Sequence, residues 1–175
     1  EQGGFRIDAE SIEVGLVDWA CENWASGANP CTTTPGTTFT VPITVNVYGA
    51  GASDETVGAL VATTTQDVEV PYRPSASEVC GDNRWSPNGA DCFNGYYFTE
   101  TFHFADAPAL PNDVVVSVTY NTQTQGYSPL GVAGPVNSFN VSVSGTLGAV
   151  GAVADPTTSI FVNSSTAAHY TPDGV

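Results

Sequence analysis

The sequence has no lysine and no methionine, and its 175 residues include only three arginines and two histidines. Eighteen Asp and Glu residues against the three arginines give a formal net charge of −15 at pH 7. A surface field of this sign repels the phosphates of nucleic acids and of anionic membranes, so we expect neither as a partner. The acidity instead favours solubility, cation binding, or self-association through counter-ions.

Long apolar segments are also missing, and no run approaches the length of a signal peptide or a transmembrane helix. We therefore expect no membrane insertion, and we interpret the chain as mature or as a domain cut from something longer. Thr, Ser, Val, Gly and Asn dominate, and 18 Gly with 12 Pro punctuate short apolar runs. This composition is typical of an all-β protein, and the length suits a single domain over residues 1–175.

Segments with alternating apolar and polar residues recur along the chain, and each predicts a strand. They lie at residues 12–19, 39–48, 60–62, 68–72, 96–104, 114–120, 139–143 and 160–162. Pro42 has no N–H to donate, so we expect its strand to be an edge strand or to bulge there. About seven or eight strands with long loops predict a β-sandwich, either jelly-roll-like or immunoglobulin-like.

The four cysteines form two pairs that are local in sequence, Cys21 with Cys31 and Cys80 with Cys92. Neither pair has a C-x-x-C spacing or a neighbouring histidine pair, so zinc is not indicated. We expect two disulfides and hence an oxidising compartment, which makes the protein secreted or displayed at a cell surface. Four cysteines allow three connectivities; local closure is the simplest, and each short loop would stabilise the fold by roughly 3 kcal/mol.

Several motifs in a fixed order carry a family resemblance. They are Trp19-Ala20-Cys21, the run from Cys31 to Tyr48, Pro71-Tyr72-Arg73-Pro74-Ser75, Arg84-Trp85, Cys92-Phe93-Asn94-Gly95 and Tyr120-Asn121-Thr122. Together they resemble a domain of unknown function found in secreted and cell-surface proteins of actinobacteria, and the likeness covers residues 11–143. The resemblance implies an extracellular location and a β-rich fold, and it supplies no catalytic residues.

The chain departs from that family at two places. The stretch Asn137-Ser138-Phe139-Asn140-Val141 stands where the resemblance predicts Asp-Ser-Leu-Asn-Val, so it lacks a carboxylate that a cation site there would use. The similar domains also continue beyond the equivalent of Tyr170 into a further strand. A missing terminal strand would leave a sheet edge open to pairing with another chain.

The residues that most catalytic sites need are scarce here. His103 is expected to point outward from its strand, and isolated serines without a G-x-S-x-G elbow do not define a Ser-His-Asp triad. Among eighteen acids, no spacing singles out a carboxylate pair for glycoside cleavage. We therefore expect a protein that is not an enzyme and has no cofactor, with calcium as the one ion to consider.

Glu100 is an unusual carboxylate, because alternation places it on the apolar face of its strand between Phe98 and Phe102. Either the strand bulges or the carboxylate is buried and paired. A buried, unpaired carboxylate costs several kcal/mol, so we predict a structural ion pair between Glu100 and Arg73.

The loop between Cys80 and Cys92 holds the candidate ligand residues. Asp82 and Asp91 could offer oxygen ligands to calcium, although the loop lacks the EF-hand pattern and ordinary turn chemistry explains it equally. The candidate residues for stacking on a sugar are four aromatics: Trp85, Tyr96, Tyr97 and Tyr127. Packing of the same rings on the domain is the alternative interpretation.

The sequence thus favours a non-enzymatic extracellular domain with a structural, adhesive or assembly role, including that of a filament or surface-layer subunit. The expected partners are other protein chains, by self-assembly or at a host surface, or an extracellular glycan. The alternative function is a carbohydrate-binding module of a secreted protein, which the loop aromatics suggest.

Overall fold

The computed structural model describes residues 5–7, 10–24, 30–52, 57–105, 109–120 and 139–141. These residues form β-strands, turns and loops, and they contain no helix. The strands are β1 (Phe5–Ile7), β2 (Ser11–Asp18), β3 (Asn23–Trp24), β4 (Cys31–Thr32), β5 (Thr38–Ala50), β6 (Val57–Pro71), β7 (Tyr96–His103), β8 (Val114–Tyr120) and β9 (Phe139–Val141). The prediction of an all-β chain is confirmed for this part, whereas the predicted strand at 160–162 lies outside the described residues.

The first sheet is built around β2, and all its pairings are antiparallel. β7 pairs with β2 along its whole length, from Ser11 opposite His103 to Asp18 opposite Tyr96. β1 and β9 divide the other edge of β2: β1 pairs with Ile12–Val14 and β9 with Leu16–Asp18.

The second sheet has the order β6-β5-β8 and is also antiparallel. β5 is therefore a central strand among the described residues, and the expectation that Pro42 marks an edge strand is wrong. The register shifts of β5 lie at Val47 to Ala50, away from Pro42. Pro42 itself lies opposite Asp67 of β6, and the described pairing with β8 begins at the next residue, where Ile43 lies opposite Tyr120.

One hydrophobic core joins the two sheets. Alternation buries one side chain in two along much of β2 and β5, including Ile12, Val14 and Leu16 of β2 and Val41 and Ile43 of β5. Each such side chain contributes about 1.5–3 kcal/mol when fully buried. The two central strands of the sheets thus supply much of the apolar side-chain volume that holds the sheets together.

Polar side chains also connect the sheets. The Gln66 side chain of β6 donates from Nε2 to the Thr101 carbonyl at 3.3 Å and accepts from the His103 N–H at 2.9 Å. Both backbone groups belong to β7, so Gln66 satisfies part of the β7 edge that faces away from β2. Tyr120 of β8 reaches the first sheet as well, where its hydroxyl donates to the Phe139 carbonyl at 2.8 Å.

Both disulfides pair local cysteines, as predicted: Cys21 with Cys31, and Cys80 with Cys92. The first one brackets the short ribbon of β3 and β4. Two disulfides indicate a protein that matures in an oxidising environment. The described part of the chain offers no helix long and apolar enough to cross a membrane.

Candidate functional site

The candidate site lies where the chain leaves β6 and crosses to β7, over residues 72–95, which we term the crossover segment. Because β6 and β7 belong to different sheets, this segment passes from one sheet to the other and does not close a hairpin. Its first residues run beside β4: the Ala76 N–H donates to the Cys31 carbonyl at 2.9 Å. Ser75 adds two bonds to Thr33, accepting from its N–H and donating to its carbonyl. The second disulfide loop is thereby anchored on the first.

Arg73 is the centre of this junction and is only 3% exposed. Its guanidinium donates to the carbonyls of Asn94, at 2.8 Å, and Asn83. Its Nε donates to Cys31 Sγ at 3.3 Å, and its backbone N–H donates to the Ala20 carbonyl at 3.0 Å. The planar fork of arginine therefore connects both disulfide loops, which an ammonium group could not do, and the Arg73 backbone adds the contact just beyond β2.

The ion pair proposed between Arg73 and Glu100 stays a prediction. Alternation does place Glu100 on the inner face, opposite Val14, where it is half-buried. Arg73, however, lies beyond the Tyr96 end of β7, and the four residues from Tyr96 to Glu100 span roughly 13 Å. The hydrogen bonds described for the guanidinium go to backbone carbonyls and to Cys31 Sγ, and the guanidinium also acts electrostatically on the Asp18 carboxylate.

Asp18 is the last residue of β2 and is fully buried. Neither of its carboxylate oxygens makes a hydrogen bond of good geometry. Burial raises its pKa from 3.8 to about 8, and the nearby backbone N–H groups of Ala20 and Arg73 and the Arg73 guanidinium offset this only in part. A buried acid and a buried base thus lie together beneath the crossover segment.

The loop that Cys80 and Cys92 close begins with a left-handed turn. Gly81, Asp82 and Asn83 all have positive φ, at 61°, 48° and 60°. This turn brings the Asn83 carbonyl to Arg73, and Asn83 Oδ1 accepts from the Cys31 N–H at 3.1 Å. The Asp82 side chain is 91% exposed as a result. Asn and Asp tolerate this backbone region better than other non-glycine residues.

The middle of the crossover segment is a miniature two-stranded turn with an aromatic cluster. Trp85 and Phe93 exchange two backbone hydrogen bonds, of 3.0 and 2.9 Å. The Trp85 ring contacts the Phe93 and Tyr96 rings, with centroids 5.6 and 5.5 Å away, and its indole N–H donates to the Gly95 carbonyl at 2.8 Å. Trp85 and Tyr96 are half-buried, but Phe93 is 47% exposed. Trp85 therefore anchors the cluster and Phe93 presents it to solvent.

The four aromatics proposed for sugar stacking do not form one surface. Trp85 and Tyr96 are brought together, whereas Tyr97 is 56% exposed on the opposite face of β7. The reason is the period of two in a strand, which sends consecutive side chains to opposite faces. Tyr127 lies outside the described residues.

The two aspartates proposed for calcium each have a partner within the loop. Asp82 lies 3.8 Å from the Arg84 guanidinium, and the Asp91 carboxylate accepts from Asn88 Nδ2 at 2.7 Å. Asn88 Oδ1 in turn accepts from the N–H groups of Ala90 and Asp91. Nowhere in the described ranges do three or more His, Cys, Asp or Glu side chains cluster closely enough to hold a metal ion.

Sequence reasoning missed two residues of this site. Asp18 continues the buried alternation of Ile12, Val14 and Leu16, and this pattern was sufficient to place it inside. Phe93 carried no comparable signal, because its position depends on the backbone pairing with Trp85 across the disulfide loop.

Comparison with protein-family models, with curated protein sequences and with solved structures gives no match for this chain.

Proposed function

We propose that the chain is a β-sandwich domain of a secreted or cell-surface protein, with an adhesive role. A strand-rich fold and two disulfides are what the resemblance to actinobacterial secreted domains implies, and that resemblance remains part of the proposal. Support for a sandwich comes from the single core shared by the two sheets and from the Gln66 bridge between them.

The observation that carries the adhesive role is the bracing of the crossover segment. Arg73 fixes Asn83 and Asn94 on the two sides of the disulfide loop, and Trp85 fixes Gly95. A rigid surface that presents a large apolar side chain, as this one presents Phe93, loses little conformational entropy on binding. Aromatic anchors of this kind dominate the energetics of protein interfaces.

Bead adhesion tests this proposal. Beads coated with the oxidised domain are passed over immobilised extracellular-matrix proteins and over coats of the domain itself, and retention under flow is counted. We expect Phe93→Ser to reduce retention severalfold and Tyr97→Ser, an equally exposed change on the opposite face, to leave it unchanged. Retention on the self-coat alone would favour assembly. The adhesive role is contradicted if no surface retains the beads or if both variants act alike.

A carbohydrate-binding module is the second candidate, and the exposed ring of Phe93 against Trp85 favours it. Aromatic rings bind the apolar faces of sugars by stacking, and Trp85 would hold the stacking ring in place. A glycan array probed with the wild-type domain and with Phe93→Ser distinguishes the two functions. Signals lost in the variant would establish the sugar-binding role, and a blank array would remove it.

A further inference from the structure

The field around the crossover segment is almost purely negative. One of the three arginines, Arg73, is buried, so its positive charge acts on groups inside the junction and adds little to the field at the surface. In the described part of the crossover segment Arg84 is the one exposed cation, and its guanidinium lies near Asp82 and donates to the Cys80 carbonyl. A partner that approaches this segment therefore meets the field of a net charge of −15, and the segment itself has little positive charge to weaken that field.

Exposed carboxylates and exposed apolar groups alternate along this segment. Glu78, Asp82 and Asp91 are exposed, and so are Val79, at 69%, and Phe93. An aromatic face attracts cations through its quadrupole, and carboxylates beside it add charge that the same cation can neutralise. Both features select for the same ligand chemistry, a positive group on an apolar stem, as in Arg and Lys side chains.

We infer that the crossover segment docks a basic segment of a partner protein, with an Arg or Lys side chain over the Phe93 ring and the exposed carboxylates of the same segment, including Asp82, attracting its charge. This inference rests on the proposed adhesive function and specifies its partner. Charge complementarity decides the occupant: an acidic or neutral chain gains nothing from this field, and a second copy of this chain is repelled by it. The expected binding is steered by long-range attraction and weakens with salt.

The test uses the intact, oxidised domain and a dye-labelled peptide of alternating Gly and Arg residues, followed by fluorescence anisotropy. The matched probe has Gln in place of each Arg. We expect the Arg peptide to bind at low salt, the Gln peptide not to bind, and affinity to fall as NaCl is raised. These results alone would show only general attraction, so paired variants locate the contact.

Phe93→Leu keeps an apolar side chain and removes the ring, and we expect it to weaken binding about two- to fivefold. Phe93→Tyr keeps the ring and should restore binding. Asp82→Asn preserves the left-handed turn and should weaken binding more than Asp67→Asn, which removes the same charge from an exposed position on β6. Tyr97→Leu is the aromatic control on the opposite face.

Equal effects in the two pairs, Phe93→Leu with Tyr97→Leu and Asp82→Asn with Asp67→Asn, would overturn the inference in favour of a diffuse field effect. Equal binding of the Arg and Gln peptides would overturn it as well. If bead retention depends on Phe93 but the Arg peptide does not compete with it, the partner is wrong and the adhesive role stands. If bead retention does not depend on Phe93, the proposed function itself fails.

Discussion

Asp18 and Arg73 are two buried charged groups at the end of the core, and they respond differently to burial. Arg73 satisfies its guanidinium with carbonyls and a disulfide sulfur, so it keeps its charge in the interior. Asp18 has no hydrogen bond of good geometry to either oxygen, and burial therefore favours its neutral form, as its raised pKa shows. Asp18 therefore makes the stability of the protein depend on pH, and Arg73 makes the crossover segment rigid.

Replacing Asp18 with Asn should make stability less dependent on pH. The folded-state pKa of Asp18, about 8, lies above its ordinary value of 3.8, so the folded protein holds a proton that the unfolded chain releases between these values. The stability that this proton provides is complete below pH 3.8 and is lost as pH rises through 8. Asp18→Asn, which cannot ionise, should therefore be more stable than wild type at pH 9, by on the order of 5 kcal/mol.

Urea denaturation at pH 5, 7 and 9 measures the Asp18 effect. Asp67→Asn, which removes an exposed carboxylate, is the control and should leave the shape of the pH profile unchanged. An Asp18→Asn profile parallel to that of wild type would contradict the prediction.

Replacing Arg73 with Lys should destabilise the crossover segment more than charge alone suggests. Lys keeps the positive charge but cannot bond the Asn83 and Asn94 carbonyls together with Cys31 Sγ. We expect a loss of about 2–4 kcal/mol, because buried partners are left unsatisfied. Arg84→Lys, at a site 37% exposed, should cost less than about 1 kcal/mol. Hydrogen exchange of the backbone amides of residues 80–95 measures the effect. Equal protection in the two variants would be evidence against the role of Arg73 in joining the two disulfide loops.

At the scale of elements, the two disulfide loops differ in how deeply the core shields them. Cys21 and Cys31 are both buried, and Arg73 contacts the Cys31 sulfur. Cys92 is only half-buried at the rim of its loop. Thiol-disulfide exchange requires access to a sulfur, so the two bridges should differ in their rate of reduction.

Mild reduction should therefore open Cys80–Cys92 before Cys21–Cys31. Alkylation followed by peptide mass spectrometry identifies the opened pair, and the order should be lost in urea, where both bridges are exposed. The double variant Cys80→Ser with Cys92→Ser should keep the β2–β7 sheet and lose about 3 kcal/mol through loop entropy. The matched pair at Cys21 and Cys31 should lose more, because it also removes a contact of Arg73. Faster reduction of Cys21–Cys31 would contradict this assignment.

The strands themselves were largely predictable. Alternation located β2, β5, β7 and β8 within a few residues, because each has one buried and one exposed face. It could not assign the strands to sheets. Pro42 suggested an edge strand, but whether a strand is central depends on which distant segments pair with it, and β5 pairs with both β6 and β8. For Glu100, alternation placed the side chain on the correct face, but its distance from Arg73 is not encoded locally.

At the scale of the whole molecule, charge opposes the compact state. A net charge of −15 with one of the three arginines buried brings many carboxylates close together on folding. The shared core and two disulfides balance this repulsion, and its strength depends on screening by salt.

Raising NaCl from 10 to 300 mM should accordingly increase the melting temperature by several degrees, because screening weakens repulsion in the folded protein more than in the expanded chain. Differential scanning calorimetry measures the shift, and uncharged sucrose at matched osmolality separates screening from solute exclusion. A melting temperature that is flat or falls with salt would show that favourable ion pairs outweigh the repulsion.

The sequence by itself determined the all-β character and the acidic surface, and it favoured the local cysteine pairing, since composition, period-two alternation and short loop closure are local properties. Only the tertiary structure decided that β6 and β7 lie in different sheets, that Arg73 joins the two disulfide loops, and that Phe93 is the exposed ring. These depend on contacts between residues far apart in the chain, such as the 42 positions that separate Cys31 from Arg73. A local sequence pattern cannot predict such a contact, because the contact forms only when the strands pack together and many alternative contacts are possible.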